Sequence, residues 1–144
     1  MENLSELATF MGGRSVVGSP KSGFDFIEIL RAGLPSKVIP CVVRSSAIGE
    51  DVICKSLRIA KRTAARRKAA AARLKPVESE LIYRFSKVVV TASEILGDRD
   101  KAREWLLTEN RALYGNRPID LLDTAIGYED VMSVLHRIEY GVYS

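Results

Sequence analysis

Glu50-Asp51-Val52-Ile53-Cys54-Lys55-Ser56-Leu57-Arg58-Ile59-Ala60-Lys61-Arg62-Thr63-Ala64-Ala65-Arg66-Arg67 is the stretch on which the reading of this chain turns. Val52, Ile53 and Leu57 recur at helical spacing, which predicts a short helix over about 49–57. A brief turn follows, and the alanines between Lys61 and Arg73 favour a second helix. Read as a helix-turn-helix, the first helix buries Ile53 and Leu57 and sets the small Cys54 where the helices cross. Ile59 plugs the turn and Ala64 packs inward. Lys61, Arg62, Thr63, Ala65 and Arg66 then project from the N-terminal half of the second helix, the part that reaches base edges in a major groove. Arg67, Lys68 and Arg73 are placed for phosphates. Arginine reads guanine, and a threonine or alanine methyl can touch thymine. Two residues depart from the pattern: Arg58 stands at a turn position often filled by glycine, and Ala60, at the start of the second helix, has no side-chain oxygen with which to cap it.

Charge sharpens this reading. Residues 52–77 carry nine basic side chains and no acid, whereas residues 1–51 carry 5 basic and 6 acidic ones and residues 78–144 carry 8 and 12. A block of net +9 between flanks of −1 and −4 is the footprint of a polyanion-binding module. The same stretch has almost no bulky apolar residues to insert into a bilayer, which argues against a membrane-surface helix. RNA binding fits less well, because the basic block lacks aromatic side chains for stacking. The acidic C-terminal part is not expected to touch DNA and is free for another task.

Outward from the basic block, the chain reads as nearly all α-helix. Residues 1–22, rich in glycine and small polar residues, are expected as a flexible N-terminal arm, with Leu4, Leu7, Phe10 and Met11 able to form one or two amphipathic turns. Residues 23–75 are expected to form the helix-turn-helix region and residues 76–144 a second, small helical domain. Ser22 is a candidate N-cap for a helix through Phe26, Ile27 and Leu30 that breaks at Gly33-Leu34-Pro35. The next helix starts at Pro35 or Ser36 and carries Val38, Ile39, Val42 and Val43, with Pro40 awkward inside it. Pro76 opens a long helix to Gly97. Its run Val88-Val89-Val90-Thr91 has β-branched, strand-like composition, but the flanking helical spacing decides for helix. Asp98 or Asp100 caps a helix through Trp105, Leu106 and Leu107. Pro118 opens a short one, and a last helix from about Gly127 ends at Gly141.

The remaining chemistry-bearing residues are sparse. Cys41 and Cys54 lie 13 apart with the single histidine, His136, far away, so no zinc site is expected and both cysteines read as small buried residues. Asp120 and Asp123 share a helix face but have no nucleophilic or basic partner in sequence, and Asp120 reads as a first-turn helix charge. Ser79 reads as a helix-start residue and Trp105 as core. No glycine-rich phosphate loop is present. These patterns predict neither catalysis nor a bound cofactor. No apolar run approaches the roughly 20 residues a membrane-spanning helix needs. The first residues lack a charged region followed by an apolar one, so no secretory signal is expected, and the cytoplasm is the expected compartment.

From about Ile59 onward the chain resembles the Xre/MbcA/ParS family of antitoxins, specifically those paired with RES-domain toxins. The resemblance is carried by Arg62-Thr63-Ala64-Ala65-Arg66-Arg67, Leu74-Lys75-Pro76-Val77-Glu78-Ser79-Glu80, Ala102-Arg103-Glu104-Trp105-Leu106, Asn110-Arg111-Ala112-Leu113, Arg117-Pro118-Ile119-Asp120-Leu121-Leu122-Asp123-Thr124, Gly127 and Ile138-Glu139-Tyr140-Gly141-Val142-Tyr143. It implies that the first part binds operator DNA of its own operon and the second binds a toxin. It also implies that the toxin is similar to ADP-ribosyltransferases and depletes NAD, and that protomers self-associate as a homodimer within a larger toxin–antitoxin complex. Gly141 stops the last helix and leaves a tail with an aromatic ring and a free carboxylate, chemistry suited to a pocket built for a phosphorylated nucleotide. Tyr140, Gly141, Val142, Tyr143 and Ser144 are therefore the expected toxin-contacting residues. A stand-alone helix-turn-helix regulator whose C-terminal domain serves dimerisation is the alternative.

The basic block makes a salt-dependent affinity the first expected outcome. Each neutralised phosphate releases about one counterion, so the logarithm of DNA affinity should fall linearly and steeply with the logarithm of salt. Anisotropy titrations across a salt series check this, and a flat dependence would remove the basic block from the docking surface.

Overall fold

The computed structural model describes residues 4–60 and 72–141, and among these it contains helices and no strand. The helices are α1 (Leu4–Phe10), α2 (Arg14–Val17), α3 (Gly23–Ala32), α4 (Val38–Ser46), α5 (Glu50–Leu57), α6 (Pro76–Leu96), α7 (Arg99–Leu106) and α8 (Ala125–Glu139), with 3-10 turns η1 (Arg111–Leu113) and η2 (Pro118–Leu121) before α8.

Helix α6 is the axis of the fold. Pro76 sits in its first turn, where a missing N–H costs nothing, and the Lys75 N–H donates to Glu78 Oε1 at 2.9 Å to close the start. From Leu81 to Ala92 its side chains are buried on several faces: Leu81, Ile82, Phe85, Val88, Val89, Val90 and Ala92 all lie inside. That explains the apolar run that resembles a strand. A helix covered on several sides needs no polar stripe, so its sequence loses the one-sided periodicity of a surface helix. α1, α3 and α4 pack on this axis from one part of the chain, and α7 and α8 from the other. One continuous apolar core results, reaching from Leu7 to Leu135.

The expected helix starts and stops hold in several places. The Ser22 hydroxyl accepts from the Asp25 N–H and Asp98 accepts from the Lys101 N–H, each at an N-cap. The last helix instead starts at Ala125, two residues before the expected Gly127, because the Thr124 hydroxyl accepts from the Gly127 N–H and caps it there. Pro40 is accommodated because α4 begins at Val38, so the proline stands in the first turn, where backbone N–H groups have no intrahelical acceptor. Gly141 has φ of +69°, in keeping with its place after the last helix. Trp105 packs half-buried against the core, while Cys41 and Cys54 are half-buried thiols outside any disulfide rather than fully interior ones.

The N-terminal segment differs from the expected arm. Residues 4–17 form α1 and α2, which bury Leu7, Phe10, Met11, Val16 and Val17. Phe10 lies 6.4 Å from the Phe85 ring and beneath the Arg99 guanidinium, and its carbonyl accepts from Ser45 Oγ at 2.8 Å. The glycines that suggest mobility serve a sharp reversal: Gly12, at φ +117°, meets Val16 and Cys41 so closely that no side chain fits. Five apolar residues were too few to reveal a packed helix pair without the α6 surface that receives them.

Gly127 yields a stability test. It lies inside α8, yet a Cβ there would overlap the Leu121 carbonyl oxygen, so the glycine allows α8 to touch the end of η2. Alanine should gain about 1 kcal/mol of helix propensity and lose more to the overlap with backbone. Gly127→Ala is therefore expected to destabilise by a net of about 2 kcal/mol in urea unfolding. An unchanged or raised midpoint would show that the contact relaxes freely.

Candidate functional site

The helix-turn-helix entry is built by α4 and α5. α5 buries Ile53, Ser56 and Leu57, and Arg58 ends it in the left-handed conformation, φ +59°. Ile59 is buried and its N–H donates to Cys54 O at 2.9 Å, as expected of a residue plugging the turn. The candidate DNA-reading residues Lys61, Arg62, Thr63, Arg66, Arg67 and Lys68, with Ala64, lie outside the described residues. Both flanks of that segment are held. Upstream, Ile59 is in the core. Downstream, Ser36 N–H donates to Ala72 O at 3.0 Å, Leu74 N–H donates to Leu34 O at 2.8 Å, and Arg73 Nη1 reaches Gly33 O at 2.7 Å. Ser79, buried at the start of α6, accepts from the Leu34 N–H at 2.8 Å and so ties this junction to the central helix. Arg73, expected on phosphate, spends one guanidinium nitrogen on this anchor.

The aspartates set aside as a catalytic pair have a different role. Asp120, in η2, accepts from Ser56 Oγ at 2.8 Å and from Arg117 through both carboxylate oxygens, at 2.8 and 3.1 Å. The Arg117 hydrogen bonds hold its carboxyl below the usual carboxylate range; partial burial opposes this, and the Ser56 hydroxyl adds to it. Asp123 pairs with Arg58 Nε at 2.9 Å. Arg103, on α7, donates through Nε to Ala47 O at 2.8 Å. Sequence reasoning missed Ser56, Arg103, Asp120 and Asp123 as contacts across the molecule. The signal was the arginine at a glycine-like turn position, which needs a partner to make sense of it.

At the other end of the molecule, Tyr140 caps α8 and is 76% exposed, and Gly141 follows it, also exposed. Val142, Tyr143 and Ser144 lie outside the described residues. Tyr140 lines a shallow groove on α8 with Met132, Ser133, His136 and Arg137. Ile126 and Tyr114 are exposed nearby in sequence and through a hydrogen bond from Tyr114 Oη to Asp130 on α8. On the inner side of α8, burial pushes the Tyr128 phenol up to about 12, so it stays neutral against α6. Among the described residues no group of three or more histidine, cysteine or acidic side chains is placed to hold a metal, and no helix is long and apolar enough to cross a membrane.

The described helices up to the turn at Ile59, followed by a second helical part built on α7 and α8, fit the class of helix-turn-helix proteins with an added helical domain. Two family models match the chain: the antitoxin Xre-like helix-turn-helix domain over residues 25–87, and the antitoxin Xre/MbcA/ParS C-terminal toxin-binding domain over residues 91–141. The chain is 34% identical over 130 residues to an antitoxin Xre of Photorhabdus laumondii subsp. laumondii, covering 89% of this chain and 88% of that protein. It is 32% identical, with the same coverage, to an antitoxin Xre of Yersinia enterocolitica serotype O:8. The chain belongs to the Xre antitoxin family, and it is a toxin–antitoxin protein with a helix-turn-helix domain and a toxin-binding domain.

Arg58 provides a test at this site. A non-glycine residue in the left-handed region costs about 1 kcal/mol or more. Its ion pair with Asp123 returns under about 1 kcal/mol, because the arginine side chain is 81% exposed. Arg58→Gly should therefore leave stability within about 1 kcal/mol of the parent, with a small gain expected in thermal or urea unfolding. A loss above about 2 kcal/mol would identify the pair as a main support of the fold.

Proposed function

We propose that this antitoxin neutralises a RES-domain toxin that depletes NAD, and that it represses its own operon by binding operator DNA through Lys61, Arg62, Thr63, Arg66, Arg67 and Lys68. The observation that carries the reading is the tandem order: a segment of concentrated positive charge held at both flanks by the helix-turn-helix core, followed by an acidic domain that matches a toxin-binding family. Operator contact by two protomers, and hence a homodimer within the toxin–antitoxin complex, suits the paired half-sites that helix-turn-helix proteins read. The match to a toxin-binding domain favours this account over a regulator whose second domain only dimerises.

In this reading Tyr140, Gly141, Val142, Tyr143 and Ser144 enter or border the toxin's active-site cleft. The exposed Tyr140 at the end of α8, and Gly141 at φ +69° directly after it, support that placement. The aromatic rings offer stacking to a site that binds a nucleotide. The C-terminal domain then supplies affinity and the tail supplies inhibition.

The deciding experiment is co-expression with the neighbouring open reading frame, with co-purification and measurement of cellular NAD. A stable complex that restores NAD is expected. Removing residues 141–144 should leave the chain folded and bound while NAD falls as it does without antitoxin. Full protection by the truncated chain would move the inhibitory contact to the body of the domain.

A further inference from the structure

The two helices that precede the DNA-reading segment both end in an unusual way. α4 ends at Ala47 with φ of +58°, and α5 ends at Arg58 with φ of +59°. Neither is glycine, and left-handed conformations at ordinary residues persist only where surrounding structure imposes them. At both ends the grip comes from the C-terminal part of the chain. Arg103 Nε donates to Ala47 O, Ser56 Oγ donates to Asp120, and Arg58 Nε donates to Asp123, all at 2.8 to 2.9 Å. Arg117 binds both oxygens of Asp120 and so sets the plane of the carboxylate that receives Ser56.

We infer that Asp120 and Asp123 of the toxin-binding domain are positioning residues for operator recognition, holding the turn at Arg58 from which the reading segment departs. The inference rests on the operator-binding reading above and deepens it. Stability does not explain the Arg58 contact, because an ion pair whose arginine is exposed offsets no more than the cost of the left-handed turn it accompanies. Direction does explain them. The backbone angles at residues 58–60 set where the chain leaves the core towards Lys61, and the Arg58 side chain is the handle through which the second domain holds that turn. The toxin-binding domain is thereby part of the apparatus that aims the DNA contact, although it carries net negative charge.

Charge makes the inference separable from a simple electrostatic effect. Asp120 and Asp123 lie beside the basic block, so neutralising them should strengthen binding to any DNA if they act only through their field. Positioning predicts the opposite for the operator alone. The test uses the full chain, a duplex carrying the promoter region of its own gene, and a scrambled duplex of equal length, titrated at one fixed salt concentration. For Asp120→Asn/Asp123→Asn, operator affinity should fall about tenfold relative to the scrambled duplex, comparable to one mismatched base pair, while scrambled-duplex affinity holds or rises. Asp123→Glu, which keeps the charge, should retain most of the discrimination. Should the double variant lose its fold, Ser56→Ala removes only the hydroxyl contact to Asp120, and a fall of about threefold in the same ratio is expected. An unchanged operator-to-scrambled ratio in folded variants, with wild type discriminating, overturns the inference and leaves operator binding intact. A wild-type chain that does not discriminate overturns the operator reading and the inference together.

Discussion

The burial of α6 is the constraint that places the other elements. A helix of 21 residues with Leu81, Ile82, Phe85, Val88, Val89, Val90 and Ala92 inside has apolar surface on several sides, and each side must be covered. α1, α3 and α4 cover one part, and α7 and α8 cover another. The DNA-binding and toxin-binding parts therefore share one helix and one core, and neither has a complete interior of its own. The N-terminal helices α1 and α2, which precede both family matches, belong to this same arrangement through Phe10 and Met11.

On that shared core, polar contacts carry orientation. Ser79 to the Leu34 N–H fixes the junction between α3 and α4, and the short backbone pairing of Leu34 and Ser36 with Leu74 and Ala72 closes the far flank of the basic block. Asp120, Asp123 and Arg103 hold the near flank. Exposed ion pairs contribute little free energy, but they have strict geometry, and geometry is what a DNA-reading segment requires. The fold thus separates two tasks. Apolar burial supplies the stability, and a few charge-assisted hydrogen bonds hold the turns at Ala47 and Arg58, which in the proposed reading aim the DNA-binding surface.

Much of this was readable in the residues. The caps at Ser22 and Asp98, the proline starts at Pro76 and Pro118, and the glycine at 141 after the last helix are local effects, decided by a hydroxyl or carboxylate beside a free N–H or by a restricted φ. The turn plugged by Ile59 was legible because an apolar residue two positions after Leu57 fits the helix-turn-helix spacing. The packed N-terminus was not, because Leu7, Phe10 and Met11 become core only against α6 and Phe85, some 75 residues away in sequence. The partners of Asp120 and Asp123 were equally hidden. A sequence lists the carboxylates three apart but not the hydroxyl of Ser56 and the guanidinium of Arg58 that meet them.

By itself, the sequence determined the helical character, the positions of most helix ends, the concentration of positive charge between residues 52 and 77 and the family motifs, because each depends on neighbours within a few residues. Tertiary structure alone decided that residues 4–17 are core, that Gly127 makes room for the Leu121 carbonyl, and that two aspartates of one domain grip the turn of the other. Those outcomes depend on which surfaces meet across dozens of residues, and contact at that range is set by the packing of the whole chain around α6.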